Sequence, residues 1–248
     1  MISARDAIEL KKTFDQIGYV SISGFLNKEE LKTLKQALEK IIIEKVPHMT
    51  HRQAFFEDKN DSSSLKQIQD LHTVDPYFHN LLIGSRFEEL VEVLLADKVV
   101  GKNLQYFNKP AKIGEATPPH QDGFYFKLDP PTAATMWLAI EDVDEENGCI
   151  RYIPGSHLRG QRPHNFSSVL GFSQGISDYG ENDYSAEVRV PVKAGDLLIH
   201  HAMTIHRADS NQSATRSRQA LGLVYFGESA EVNALAKEAY LKELEQNF

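Results

Sequence analysis

The sequence is poor in the features that mark secreted, disulfide-bonded or membrane-spanning proteins. Its 248 residues include one cysteine, Cys149, so no disulfide can form within the chain. No apolar run approaches the roughly 20 residues that a helix needs to cross a bilayer, and the first residues lack the apolar block of a secretory signal. These absences predict a protein of the reducing cytoplasm without a membrane partner.

Positive charge is also scarce. The chain has 27 Lys and Arg against 35 Asp and Glu, which gives a formal net charge of −8. Proteins that bind phosphate backbones usually carry a basic surface that displaces counterions, so we expect no nucleic-acid partner. A small-molecule ligand in a local pocket remains compatible with this charge, even if the ligand is anionic. No feature of the sequence indicates the oligomeric state.

The composition, 41% hydrophobic and 25% charged, is typical of one globular domain, here residues 1–248. Apolar spacing predicts a mostly helical support over 1–100, with an amphipathic helix over 4–17 and a helix that begins after an Asn27–Glu30 capping box and runs to about Glu44. We expect a loop over 47–64 and a helix after Ser85. A terminal helix is expected over 229–248.

Residues 101–228 change to short strands separated by turns, which favours a mainly β core with flanking helices. This pattern predicts a cupin-like jelly roll, or double-stranded β-helix, backed by the N-terminal helices. The segment 158–187 is long and rich in small polar residues, so we interpret it as a lid. The predicted strands cover residues 103–107, 134–140, 149–153, 186–191, 196–200 and 219–226.

A candidate metal motif lies in this region, where His120 and Asp122 are separated by one residue. If this segment is a strand, both side chains project from the same face. The motif alone is weak, because a turn with solvated polar residues explains it about as well. His206 strengthens it, since this residue follows an apolar segment that can bring a third ligand back beside the first two. Two imidazoles and one carboxylate suit iron(II) and leave open coordination positions.

Other histidines nearby have simpler explanations. His200 and His201 are adjacent, and a strand aims only one of two neighbours inward, so we interpret both as structural. His157 closes a turn, where it serves loop geometry.

An arginine after His206 is the candidate partner for a carboxylate ligand, because its planar fork matches a carboxylate better than lysine does. Arg218 is preferred over Arg216, since it has the strand parity of Ala220 and Gly222, two small residues that could leave room for a diacid. Either arginine could instead be a solvated charge at a strand entrance.

Taken in order along the chain, these motifs resemble the phytanoyl-CoA dioxygenase family of iron and 2-oxoglutarate oxygenases. The matching segments are Asn108 to Pro110, Pro119 to Asp122, Trp137 to Asp142, Asn147 to Ile150, Pro154 to His157, Gly195 to His206 and Asn211 to Ala220, with Phe14 to Val20 near the N-terminus.

The resemblance implies iron(II) held by His120, Asp122 and His206, with 2-oxoglutarate and dioxygen as co-substrates and Arg218 as the 2-oxoglutarate anchor. It also implies that Trp137, which could equally be a core residue, lies near the co-substrate.

The resemblance also implies that Gln105 lies near the co-substrate. The chain departs from the family at Ala208, where many relatives have a hydroxyl that contacts 2-oxoglutarate. We expect Gln105, Tyr125 or Thr204 to supply that hydrogen bond. His51, Arg52 and Lys109 are candidate substrate contacts.

The expected reaction is hydroxylation of an aliphatic carbon of a small molecule, with release of succinate and CO2. Asp122 occupies the position that halogenating relatives leave to chloride, so halogenation is not expected. The alternatives are an oxidase or cyclising member of the family, a non-catalytic cupin-like binding protein, and a metal-dependent isomerase or hydrolase. The sequence does not indicate the substrate.

Overall fold

The computed structural model describes residues 4–58, 60–167, 169 and 173–247 of the chain. Within this part, the helices are α1 Ala4–Ile17, α2 Lys28–Glu44, α3 Leu71–Val74, α4 Pro76–Leu82, α5 Arg86–Leu95, α6 Asp122–Phe126, α7 Glu181–Ala186 and α8 Ala234–Asn247. Short 3-10 turns occur at Val46–His48, Ser62–Ser64 and Ser156–Arg159.

The strands are β1 Tyr19–Ile22, β2 Ala54–Phe56, β3 Leu65–Ile68, β4 Val99–Lys109, β5 Thr117–His120, β6 Leu128–Asp129, β7 Ala133–Ala139, β8 Ile150–Tyr152, β9 His164–Phe166, β10 Gln174–Ile176, β11 Val188–Val190, β12 Leu197–His201, β13 His206–Ala208, β14 Arg218–Gly227 and β15 Glu231–Val232.

The helical N-terminal support forms as its capping signals predict. The Asn27 side chain accepts from the amides of Glu29 and Glu30 at 2.9 and 3.0 Å, and Glu30 accepts from the Asn27 amide at 2.8 Å, which completes the capping box of α2. Ser85 caps α5 by accepting from the Phe87 amide at 3.2 Å.

Two antiparallel sheets form the core and confirm the predicted jelly-roll class. The major sheet has the strand order β1-β12-β7-β14-β4-β3-β2, and the minor sheet has the order β11-β8-β13-β5. Helices cover the outer face of the major sheet, where Met136, Leu138, Leu221 and Leu223 join a core with residues of α2, α4 and α5. The inner face packs against the minor sheet through Trp137, Leu198 and Ala220.

Strand alternation follows from this arrangement and decides which residues face the interior between the sheets. On β14, Leu221 and Leu223 point to the helices, so Arg218, Ala220 and Gly222 point inward. On β12, Leu198 points inward, and His200 shares its parity. On β4, Leu104 and Tyr106 join the core under the helices, so Gln105 and Phe107 point inward.

One part of the chain differs from the expectation, and the predicted lid, which stays a prediction, contains regular elements. The region 47–64, predicted as loop, contains β2, which pairs with β3 and extends the major sheet. The predicted lid contains β9, β10 and α7, and β9 pairs with β10 as a hairpin. Ser168, Leu170, Gly171 and Phe172 of that segment lie outside the described residues.

Across the residues that the structure describes, no helix combines the length and apolar character that crossing a membrane requires. The cytoplasmic location stays a prediction.

Candidate active site

Three elements bring the candidate metal ligands together at one end of the two sheets. His120 is the last residue of β5, and Asp122 is the first residue of α6. His206 begins β13 and pairs directly with His120 across the minor sheet. The prediction that His120 and Asp122 share one strand is therefore wrong, because the chain turns into a helix between them. Likewise, His206 does not end the apolar strand β12 but begins a strand in the opposite sheet.

One ligand atom from each of these three residues lies within 4.8 Å of the others. The Nε2 atom of His120 is 3.5 Å from Oδ1 of Asp122, and Nε2 of His206 is 3.8 Å from the same oxygen. This triangle of two imidazole nitrogens and one carboxylate oxygen has the composition of a facial iron site with open positions.

Hydrogen bonds set both histidines in the state that a metal requires. Nδ1 of His120 lies 2.8 Å from the Pro118 carbonyl, and Nδ1 of His206 lies 3.0 Å from the Thr204 carbonyl. Because a carbonyl only accepts, each Nδ1 carries the proton and each Nε2 presents its lone pair toward Asp122. Burial, followed by the nearby His120 ring, holds the pKa of His206 well below its usual value, so this imidazole is neutral.

The carboxylate of Asp122 is oriented by two donors on its other oxygen. Oδ2 accepts from the Thr135 hydroxyl at 2.5 Å and from Nε2 of His200 at 3.2 Å. Burial alone would raise the pKa of Asp122, but the neighbouring His206, His120 and His200 hold the pKa well below its usual value. Asp122 is thus ionised, and its Oδ1 faces the two imidazoles of the candidate site.

His200 is therefore structural in a more specific sense than the sequence suggested. Its Nδ1 lies 3.0 Å from the Tyr152 hydroxyl, and its Nε2 donates to Asp122, so no lone pair of its Nε2 is available to a metal. His200 positions a ligand. Its neighbour His201 points the other way, toward His157, with ring centroids 5.5 Å apart.

A first cavity of about 100 Å³ opens from these ligands toward Arg218. Arg218 is 5% exposed, and its Nε has no hydrogen-bond partner. The described residues place no carboxylate in an ion pair with it, and its guanidinium carbon lies 5.3 Å from the Trp137 ring centroid. Burial lowers the pKa of Arg218 to about 10, so it remains a cation. A buried cation without a counter-charge fits a cavity built for an anion.

Arg216 has a different environment. It is bound to Asp144 at 2.9 Å and to Glu146 at 2.5 Å, and its side chain is 37% exposed. These acids raise its pKa. Arg216 is a surface residue whose charge is already paired, and it does not line the first cavity.

Lys109 is a second buried cation in the first cavity. Its Nζ donates to the backbone carbonyls of Glu115 and Asp209 rather than to a carboxylate. Burial, followed by the neighbouring charge of Arg218, holds the pKa of Lys109 well below its usual value. Lys109 was predicted only as a substrate contact, yet it lies on the same side of the ligands as Arg218.

The remaining predicted co-substrate residues divide into three groups. Trp137 lines the first cavity beside Arg218. Gln105 and Tyr125 line a second cavity of about 200 Å³ on the other side of His120 and Asp122. Thr204 lines neither: it is fully buried, and its hydroxyl donates to the Gly18 carbonyl at 2.7 Å.

Gln121, between the two ligands of the motif, was not singled out from the sequence. Its side-chain amide donates to the carbonyls of Gly160 and Met203 at 3.0 and 2.8 Å and accepts from the Arg162 amide at 2.8 Å. Its backbone amide donates to Nε2 of His164 at 3.2 Å. Every hydrogen-bonding group of this buried side chain attaches the ligand-bearing turn to the segment 158–187 or to the turn before His206.

His51 and Arg52, the other predicted substrate contacts, are exposed in the connection before β2 and line neither cavity.

An antiparallel double sheet with a facial histidine–carboxylate set and a buried, unpaired arginine beside it defines the class of non-haem iron, 2-oxoglutarate-dependent oxygenases. Within that class, the chain belongs to the phytanoyl-CoA dioxygenase (PhyH) family, whose model matches residues 14–220.

Known proteins agree with this assignment. "Phytanoyl-CoA dioxygenase 1" from Oryza sativa subsp. japonica is 29% identical, with 87% of each chain covered. The epimerase SnoN, solved with Fe3+, alpha ketoglutarate and nogalamycin RO, superposes with a TM-score of 0.75 at 23% identity over 93% of this chain and 87% of its own. EctD from S. alaskensis, solved with 2-oxoglutarate and 5-hydroxyectoine, gives 0.72 at 20% identity, covering 92% and 77%. At these identities the two structures establish the fold.

Proposed function

We propose that this protein hydroxylates an aliphatic carbon of a small-molecule substrate, with iron(II) held by His120, Asp122 and His206 and with 2-oxoglutarate as co-substrate. In the overall reaction, one atom of dioxygen enters the substrate and the other enters succinate, while the carboxyl group next to the keto group leaves as CO2.

The observation that carries this proposal is the position of Arg218. A guanidinium buried without a carboxylate is costly, and it opens on the same small cavity as the three candidate ligands. A dicarboxylate can satisfy both ends of this cavity, because one carboxylate pairs with Arg218 while the other end reaches the metal position. A monocarboxylate bound at the metal position would leave Arg218 unpaired.

Each residue contributes binding or orientation. His120, Asp122 and His206 would hold the iron, which when bound supplies the activation of dioxygen. Thr135 and His200 fix the rotamer of Asp122 so that Oδ1 faces the two imidazoles.

The walls of the first cavity complete this arrangement. Trp137 packs over the guanidinium of Arg218 and excludes water from the ion pair, and Lys109 adds a second positive charge on the same side.

Hydroxylation is favoured over halogenation by Asp122. Its carboxylate fills the third position of the facial set and is ionised, so chloride would meet an occupied position and a negative charge. Desaturation or ring closure of the substrate would consume the same co-substrates, and the product distinguishes these reactions from hydroxylation.

The test combines stoichiometry with isotope labelling. The iron-loaded protein should form succinate from 2-oxoglutarate in an oxygen-dependent manner, and labelled dioxygen should place one labelled atom in the product. Arg218→Ala should lower succinate formation at limiting 2-oxoglutarate. Retention of metal without any succinate formation would favour a binding protein, and oxygen-independent activity with zinc or manganese would favour an isomerase or hydrolase.

A further inference from the structure

The second cavity differs from the first in having almost no charge. Apart from His120 and Asp122, the residues that line it are uncharged. The two cavities share five lining residues, namely Gln67, Phe107, His120, Asp122 and Thr135. Apolar surface comes from Phe107, Phe126 and Val224. Its polar surface comes mainly from the side chains of Gln67, Gln69, Gln105, Tyr125 and Thr135.

Two of these glutamines bind each other. The Nε2 atom of Gln67 on β3 donates to Oε1 of Gln105 on β4 at 2.6 Å. This bond uses one donor of Gln67 and the acceptor of Gln105, so Oε1 of Gln67 and the Nε2 donors of Gln105 have no partner among the hydrogen bonds of the described residues. If both amide orientations were exchanged, the pair would still present one acceptor and one donor.

The strand position opposite Gln105 carries no side chain. Gln105 lies opposite Gly222 of β14, and a Cβ atom at Gly222 would come within 2.6 Å of Cε2 of Phe107. Glycine at this position therefore lets the Phe107 ring approach β14 closely, and Phe107 lines both cavities. Gln67 is 3% exposed and lines this cavity, so a ligand in the cavity can donate to its free oxygen.

We propose that the second cavity is the substrate site, and that it binds an uncharged small molecule with a carboxamide or lactam group. This inference rests on the proposed function. A carboxamide donates to Oε1 of Gln67 and accepts from Nε2 of Gln105, while the apolar body of the substrate packs against Phe107 and Phe126. A free carboxylate is disfavoured, because the cavity offers no cation and the ionised Asp122 lies at its inner end.

The experiment uses two ligands that differ in one group, benzamide and benzoate. Binding of each is measured by calorimetry on the protein loaded with iron and 2-oxoglutarate under anaerobic conditions. Benzamide should bind at least about tenfold more tightly than benzoate, as expected when one ligand satisfies two hydrogen bonds and the other brings an unpaired charge. Equal affinities, tighter binding of benzoate, or no detectable binding of either would overturn the inference.

Variants of the two glutamines test whether they cause the preference for benzamide over benzoate. Gln105→Leu should remove most of the difference between benzamide and benzoate while the affinity for 2-oxoglutarate stays unchanged, since Gln105 does not line the first cavity. Gln67→Leu should also reduce the difference if it folds. Gln212→Leu, on the exposed surface, is the matched control. An unchanged preference in Gln105→Leu would contradict the assignment. Succinate formation without added substrate is measured separately, so a failure of the proposed oxygenase activity is distinguishable from a failure of the benzamide preference.

Discussion

The two cavities on either side of His120 and Asp122 are built from neighbouring strands but have opposite chemical character. The first contains Arg218 and Lys109, both buried without a carboxylate partner in contact. The second is lined by neutral amides, aromatic rings and aliphatic side chains. The wall that the cavities share contains His120 and Asp122, whereas His206 lines only the first cavity. Under our two proposals, one metal position serves an anion on one side and a neutral molecule on the other.

The largest expected effect comes from removing a candidate metal ligand, since the chemistry proposed for both cavities depends on the metal. His120→Ala or His206→Ala should abolish iron binding and lower turnover by more than the roughly 100-fold that loss of an outer partner of a metal ligand typically costs. Iron content and succinate formation are measured on the same samples. His201→Gln, beside but outside the site, is the control and should keep its iron. A His206→Ala protein with full activity would remove the basis of the assignment.

Arg218 should affect only the first cavity. Arg218→Ala should raise the KM for 2-oxoglutarate by about 100-fold or more, because removing one member of a buried charge pair costs several kcal/mol. Arg216→Ala should change it by less than about threefold, since exposed ion pairs contribute little. Steady-state kinetics at varied 2-oxoglutarate distinguish the two, and the reverse ranking would make Arg216 the anchor.

A Thr135 variant tests whether the orientation of Asp122 affects iron binding alone or 2-oxoglutarate binding as well. Thr135→Val keeps the shape of the side chain but removes the 2.5 Å hydrogen bond to Oδ2. Iron affinity should fall by about tenfold, as is typical for loss of an outer partner of a metal ligand. Thr33→Val on the exposed face of α2 should leave it unchanged. The affinity for 2-oxoglutarate at saturating iron should be the same in Thr135→Val and in the unmodified protein; a loss of that affinity would show that Thr135 contacts the co-substrate directly.

Regular elements were the part of the fold that sequence patterns could predict. Capping residues and apolar spacing gave α1 and α2 their bounds, and alternation identified most strands of the major sheet. β3 was missed because its segment Lys66-Gln67-Ile68 lacks apolar alternation. The polar residues in that strand face a cavity instead of a packed core, so the functional surface itself hides the strand signal.

The site was predictable in its residue types but not in its pairing. Nothing in the sequence shows that the chain changes sheets between His201 and His206, which pairs His206 with His120 and leaves Thr204 bound to Gly18. The parity of His200 with Leu198 was visible, but which face of β12 lies inward depends on long-range packing.

The smallest expected effect concerns His164, which attaches the turn between His120 and Asp122 to the segment 158–187. His164 stacks on Phe124 of α6, with ring centroids 4.3 Å apart, and accepts from the Gln121 amide through Nε2. Burial lowers the pKa of His164 to about 4, whereas an unfolded histidine titrates near 6.5. As the pH falls from about 6.5 toward 4, the unfolded chain takes up a proton that the folded chain does not, so stability decreases in this window and is fully present above it.

His164→Gln should remove this dependence while keeping an acceptor for the Gln121 amide. Urea unfolding at about pH 7 and about pH 5 should show a loss of stability in the unmodified protein that is smaller in the variant by about 1 kcal/mol or less, since the imidazole is only partly buried. His201, whose pKa burial also lowers to about 4, contributes with the same sign and should leave a residual slope. If the variant keeps the full pH dependence, His164 is already solvated and the attachment depends on Gln121 alone.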